Sequence, residues 1–354
     1  MKVCKVLSVL FLLGFVMLGC ALNEEAFKEM KGSNQQNLKV STTLYPFQFI
    51  VEEIGGEKIS VETVYPPGAD AHTYEPTSKE MAEIAKSDAF IYLGAGMEGF
   101  AESAADALKN QEVKLIEIGR QDELFHEAEV KHTQEDGEET HENKDVKHNH
   151  NGEGHHHGKA GHDNKKDDSH QHKDHSHHVH GDHDPHIWLD PLRMIEIAEI
   201  IKEELIELNP EEEAAYDKNF NELKAELTKL DETFIRTLED KKNKHILVAH
   251  AAFGYWEERY GIEQLPISGL SPSSEPSQKE LTNVIDQAKQ YELDYILFEQ
   301  NSSSRVSEII QEQIYAEALT IHNLSVLTEK DTNNNEDYIS LMNYNLDVLD
   351  KAMD

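Results

Sequence analysis

Glu211 to Asp240 reads EEEAAYDKNFNELKAELTKLDETFIRTLED, and its charged surface is crossed by Phe220, Leu223, Leu227, Leu230 and Phe234. Spacings of three and four put these five on one stripe of an amphipathic helix. At about 1.5 Å per residue such a helix is long enough to span a domain. Asn209-Pro210 separates it from an earlier helical run, Leu192 to Leu208, which opens at Asp190-Pro191. On either side, short apolar runs alternate with helix-like stretches. Upstream the predicted strands are Lys39–Leu44, Ile59–Val64, Ala89–Leu93 and Val113–Ile118, with helices at Phe47–Ile54, Ser78–Lys86 and Glu98–Lys109. Downstream the strands are His245–Val248, Gln264–Ile267, Tyr295–Phe298 and Thr320–Leu324, with helices at Phe253–Tyr260, Gln278–Tyr291 and Ser304–Ala318. Such alternation implies βαβ units and parallel sheets. The expected fold class is therefore α/β, as two similar parallel-sheet lobes joined by a long helix.

The chain has 354 residues, 33 basic against 69 acidic side chains, and a formal net charge of −36. A nucleic-acid binder needs a basic face to neutralise phosphates, so that class is excluded. Two cysteines cannot make a disulfide scaffold, and 38% hydrophobic content suffices for a packed core. Residues 1–20 begin with Lys2 and Lys5, run apolar from Val6 to Leu18 and end at Gly19-Cys20, which reads as a secretory signal. The apolar run falls short of the ~20 residues of a membrane-spanning helix. Cys20 after a small residue resembles a bacterial lipobox, so diacylation of Cys20 would anchor the chain to the outer face of the cytoplasmic membrane. Residues 21–37 are polar and read as a tether.

Histidine is unevenly distributed: 17 of the 21 lie between His126 and His186. Residues 122–185 interleave runs such as His155-His156-His157 and His175-Ser-His177-His178, then His180, with Asp, Glu, Lys and Gly and almost no apolar residue. That composition cannot bury a core, so a flexible acidic insert is expected. Its histidines suit weak, reversible binding of several metal ions, an antenna whose capture weakens below about pH 6 as imidazole protonates. The remaining segments are an amino-terminal lobe at 38–121 completed by 186–210, a linker helix within 211–243, and a carboxyl lobe at 244–354.

Three histidines outside the antenna's runs fall at the carboxyl ends of strands or in proline-braced loops. His72 lies in the Pro/Gly-rich loop Tyr65 to Pro76, His250 closes Ile246-Leu-Val-Ala-His250, and His186 sits in Asp184-Pro-His-Ile-Trp-Leu-Asp-Pro191. Ligands of open α/β sheets bind outside the carboxyl ends of the strands. Neutral imidazole is the commonest metal ligand, and three of them suit tetrahedral zinc with one further ligand. Each alone reads more readily as an ordinary hydrogen-bonded loop histidine than as a ligand.

Together with Gly269-Leu-Ser-Pro-Ser-Ser-Glu-Pro276 and Leu297-Phe-Glu-Gln300, these segments resemble the high-affinity zinc substrate-binding lipoproteins of bacterial ABC transporters, over nearly the whole chain from Leu38. The resemblance implies two α/β lobes on one rigid helix and a single Zn²⁺ between them, held by His72, His186 and His250. It also implies a monomer that delivers metal to an ABC permease driven by a cytosolic ATPase, without catalysis. Manganese and iron members generally place a glutamate where this chain has His250, and imidazole favours zinc over those harder metals. Many relatives take a fourth ligand from a carboxylate in the last strand, where this chain reads Ile321-His-Asn-Leu-Ser325. Glu299, water or an insert residue could fill that role, and His322 reads as structural.

Three other readings compete: a manganese or iron receptor, a surface adhesin with a structural metal, and a metallohydrolase using Glu299 or Glu275 as a base. Gly94-Ala-Gly96-Met-Glu-Gly99 matches a dinucleotide fingerprint between a predicted strand and helix, but a chain outside the cytoplasm has little access to dinucleotides. No His-Glu-x-x-His pair occurs, which excludes a zincin site.

Overall fold

The structure, a computed structural model, describes residues 37–125, 183–274, 276–301 and 305–354. The signal segment with Cys20, the tether, the antenna histidines His155, His156, His157, His175, His177, His178 and His180, and Glu275 lie outside the described residues.

The amino-terminal lobe runs β1 (Leu38–Thr42), α1 (Tyr45–Gly55), β2 (Ile59–Thr63), α2 (Ser78–Ile84), β3 (Ala89–Tyr92), α3 (Ala101–Leu108) and β4 (Lys114–Glu117). All pairings are parallel, in the order β2-β1-β3-β4. After α4 (Pro191–Leu208) and α5 (Glu213–Leu238), the carboxyl lobe runs β5 (His245–His250), α6 (Gly254–Tyr260), β6 (Glu263–Ser268), α7 (Gln278–Gln290), β7 (Tyr295–Glu299), α8 (Arg305–Ile314) and β8 (Glu317–Ile321). Its order β6-β5-β7-β8 repeats the first sheet. The chain ends in α9 (Glu329–Asn334) and α10 (Tyr338–Ala352).

Helix α5 buries Phe220, Leu223, Leu227, Leu230 and Phe234, the stripe anticipated from spacing. It packs on α1, α4, α6 and α10, so one hydrophobic core runs from Val40 and Ile91 in the first sheet to Val248 and Leu297 in the second. Alternate residues of β5 and β7 face the other way: Leu247 and Ile296 join a second core beneath α7 and α8. This is the two-sided burial of a parallel sheet. Asp231 on α5 accepts from Arg259 Nε and Nη2 on α6 at 2.8 and 2.6 Å, tying linker to carboxyl lobe.

Three differences from expectation lie toward the end of the chain. The helix expected to Ala318 stops at Ile314, because Tyr315 takes φ +59°, and β8 begins at Glu317, three residues before the predicted Thr320. β8 is an edge strand and mostly exposed, so it carries too few apolar residues to announce itself. Helix α10 buries Tyr338, Leu341, Met342, Leu346 and Leu349. Its Tyr338 hydroxyl donates to the carbonyl of Trp188 at 2.7 Å, so a helix absent from the sequence reading braces the segment that carries His186.

Candidate metal centre

β5 ends at His250 beside Ser268 of β6, which points the imidazole out of the carboxyl edge of the sheet. His186 sits in a turn fixed by its neighbours. Trp188 Nε1 donates to the Asn323 carbonyl at 2.7 Å, and Trp256 Nε1 donates to the Leu189 carbonyl at 2.7 Å. Asp190 caps α4 through the Leu192 N–H at 2.8 Å and holds Arg193, which also reaches Glu258 and the Leu124 carbonyl. Burial pushes the Asp190 carboxyl above its ordinary range, and Arg193 opposes that shift. His72 arrives on the loop between β2 and α2. Tyr65 donates to the Ala71 carbonyl at 3.0 Å, and two bonds from the carboxyl lobe hold the loop: Asn301 Nδ2 to the Ala69 carbonyl at 2.9 Å, and the Gly68 N–H to the Leu327 carbonyl at 2.9 Å.

The three imidazoles meet. One ligand atom from each of His72, His186 and His250 lies within 4.8 Å of the others. The Nε2 atoms of His186 and His250 are 3.4 Å apart. His186 and His250 are buried, and His72 is half-buried. Behind each buried ring stands a carboxylate. His186 Nδ1 is 2.7 Å from Asp184 Oδ1, which also accepts the His186 N–H at 3.0 Å, and His250 Nδ1 contacts Glu299 Oε1. With Nδ1–H donating to a carboxylate, each ring turns its Nε2 lone pair to the shared point. In that tautomer the two lone pairs would face each other across 3.4 Å, an arrangement that a cation between them would relieve. The His72 ring is held down from 6.5 to about 4, first by burial and then by the charges that His186 and His250 would carry. Its ring is therefore unprotonated at neutral pH, with a lone pair able to accept a cation.

The structure places Glu299 behind the His250 ring, where its second oxygen accepts from Asn323 Nδ2 at 2.6 Å. Among the described residues the cluster of possible ligands contains the three histidines without Glu299. Ser325 is turned to Asn323, its hydroxyl donating to Oδ1 at 2.8 Å. Sequence reasoning missed Asp184 and Asn323. The step of two from Asp184 to His186 was a signal that could have found the first; only the fold brings Asn323 near. His322 is structural: its Nδ1 accepts the Leu324 N–H at 2.9 Å and its Nε2–H donates to Asp331 at 3.1 Å. His245, which the sequence left without a role, stacks on Tyr291 at 3.7 Å and meets Asn243 and Glu263.

The glycine turn is not a dinucleotide cradle. Gly94, Ala95 and Gly96 all have φ between 50 and 79°, and the amides of Leu93 and Gly94 that would face a phosphate donate to Glu98 at 2.9 and 2.8 Å. Burial pushes that carboxyl above its ordinary range, opposed by those bonds and by Thr43.

A family model described as zinc-uptake complex component A, periplasmic (ZnuA), matches residues 40–352. The zinc-binding lipoprotein AdcA of Streptococcus pneumoniae (strain ATCC BAA-255 / R6) is 30% identical over 336 residues, covering 95% of this chain and 59% of that protein. This chain therefore spans little more than half the length of that relative. The high-affinity zinc uptake system protein ZnuA of Bacillus subtilis (strain 168) is 28% identical over 344 residues and 96% of both chains. Among solved structures, the Zn(II)-bound ZnuA-like domain of S. pneumoniae AdcA superposes with a TM-score of 0.64 at 27% identity, over 90% of this chain and 99% of that one.

Proposed function

This chain belongs to the ZnuA family of zinc-uptake components, and from that premise we propose that it is an extracytoplasmic receptor that captures Zn²⁺ as cargo and delivers it to an ABC permease powered by a cytosolic ATPase. The observation that carries the reading is the convergence of His72, His186 and His250, drawn from three separate segments, within 4.8 Å. Three imidazoles make a set suited to zinc, whereas manganese and iron prefer more oxygen. In this reading Asp184 and Glu299 orient the imidazoles from behind, and water completes the tetrahedron. Lobes packed on one continuous core and one long helix favour small local rearrangements on loading over a wide hinge swing. Membrane attachment would come from acylation of Cys20, and the histidines of 122–185 would raise the local zinc concentration.

Calorimetry on metal-free protein tests the proposal. One tight Zn²⁺ per chain is expected, together with displacement of Mn²⁺ by Zn²⁺. Absence of a tight site, or a preference for Mn²⁺, overturns it. A deletion strain should fail to grow under zinc starvation and recover on zinc addition.

A further inference from the structure

Glu299 can accept from His250 only while its own surroundings keep it an acceptor, and those surroundings lead to Asn323. The polarity of that contact is set by backbone N–H groups, which cannot be reversed. The Ser325 N–H donates to Asn323 Oδ1 at 3.1 Å, and the Ser325 hydroxyl adds a second bond to the same oxygen at 2.8 Å. The Asn323 N–H donates to Gln300 Oε1 at 2.9 Å, which turns Gln300 Nε2 to donate to Asn323 Oδ1, also at 2.9 Å. With Oδ1 accepting three times, Nδ2 must face Glu299, and it does so at 2.6 Å. Glu299 then presents its other oxygen to His250 Nδ1, leaving the Nε2 lone pair 3.4 Å from His186 Nε2. Asn323, Ser325 and Glu299 are all buried, so water does not substitute for a lost partner. The Asn323 carbonyl also holds Trp188 Nε1, two residues beyond His186.

We infer that Asn323, locked by Ser325, is a positioning residue that fixes the His250 tautomer and thereby sets the strength of metal capture; the metal part of this inference rests on the zinc-receptor reading. Ser325 has a purpose in this scheme at the position where the resemblance leads one to expect a coordinating carboxylate: it holds the amide that holds the glutamate. Asn323→Asp replaces the fixed amide donor with a carboxyl that must share one proton with Glu299 across 2.6 Å, so Glu299 is no longer held as an acceptor for His250. Glu299→Gln added to it restores the pair with reversed polarity: the introduced amide donates to the introduced carboxylate while its oxygen still accepts from His250.

The test uses the full chain, stripped of metal. Zn²⁺ affinity is read by competition with a chromogenic chelator, and the His250 tautomer by long-range ¹⁵N–¹H spectra, its resonance assigned by loss in His250→Asn. N323D is expected to weaken Zn²⁺ binding by about 10- to 100-fold, the scale for outer-shell partners, and to lose the Nδ1–H signature. The N323D/E299Q pair should bind more tightly than N323D and within about threefold of E299Q alone, a recovery that lost packing would not give. Wild-type affinity and tautomer in N323D, or no recovery in the pair, overturns the inference. Should N323D fail to fold, N323A replaces it, with the same loss of affinity and tautomer expected and an unchanged protein overturning the inference. If the wild type binds no Zn²⁺, the receptor reading falls, while the tautomer spectra still decide the role of Asn323.

Discussion

Gly254→Ala should weaken zinc binding through an atom that never touches the metal. Gly254 opens α6, and a Cβ placed there would lie 2.6 Å from Asp184 Oδ2. Ordinary contact begins near 3.4 Å, so the carboxylate must retreat by about 0.8 Å. The Asp184 backbone cannot follow easily, because its carbonyl accepts from the Tyr255 hydroxyl at 2.7 Å. The side chain is 21% exposed and can rotate toward solvent. That rotation carries Oδ1 from 2.7 Å to roughly 3.5 Å from His186 Nδ1, beyond hydrogen-bond range. Losing such a partner costs about 10- to 100-fold in metal affinity. Folding stability should barely change, since the unfolded chain loses freedom when glycine becomes alanine, worth about 0.4–1 kcal/mol, which offsets much of the lost hydrogen bond. Chelator competition gives the affinity, and urea unfolding of metal-free protein gives the stability. A G254A protein that binds zinc like the wild type would show that Asp184 does not orient His186.

Gly261→Ala is the converse control: Gly261 ends α6 at φ +66°, so alanine there should cost about 1 kcal/mol in urea unfolding while zinc affinity stays within twofold. His72→Ala, His186→Ala and His250→Ala should each weaken the tight site more than tenfold by calorimetry, and an unchanged titration removes that residue from the ligand set. Removing residues 127–179 should leave one tight site, and its loss would mean that the antenna and the trio are not separate. For pH, the folded protein holds His72 neutral down to about 4 whereas the unfolded chain takes a proton near 6.5. Stability of the metal-free protein should therefore fall as pH drops from about 6.5 to about 4, by up to about 3 kcal/mol from this ring. His72→Gln should remove that part of the slope in urea midpoints between pH 7 and 4.5; parallel slopes would refute it.

Periodicity made the two lobes and the linker legible because α5 and the strands bury regular stripes, and a buried stripe must repeat with its element. It failed at β8 and α10. β8 pairs on one side only and needs few apolar residues. α10 follows a loop rich in Asn and Asp whose polarity masks the buried face that begins at Tyr338.

The three histidines could be named in the sequence because each stands at a strand end or in a proline-braced loop, local features that travel with the chain. Their convergence, the carboxylates behind His186 and His250, and the turning of Ser325 toward Asn323 came only from the fold. His72, His186 and His250 are separated by 114 and 64 residues, and no local rule sets a distance across such gaps. Chain composition thus determined which groups can bind a soft-to-borderline cation. Packing of two lobes on one helix decided which lone pairs meet, because orientation at that scale is set by buried partners distant in sequence.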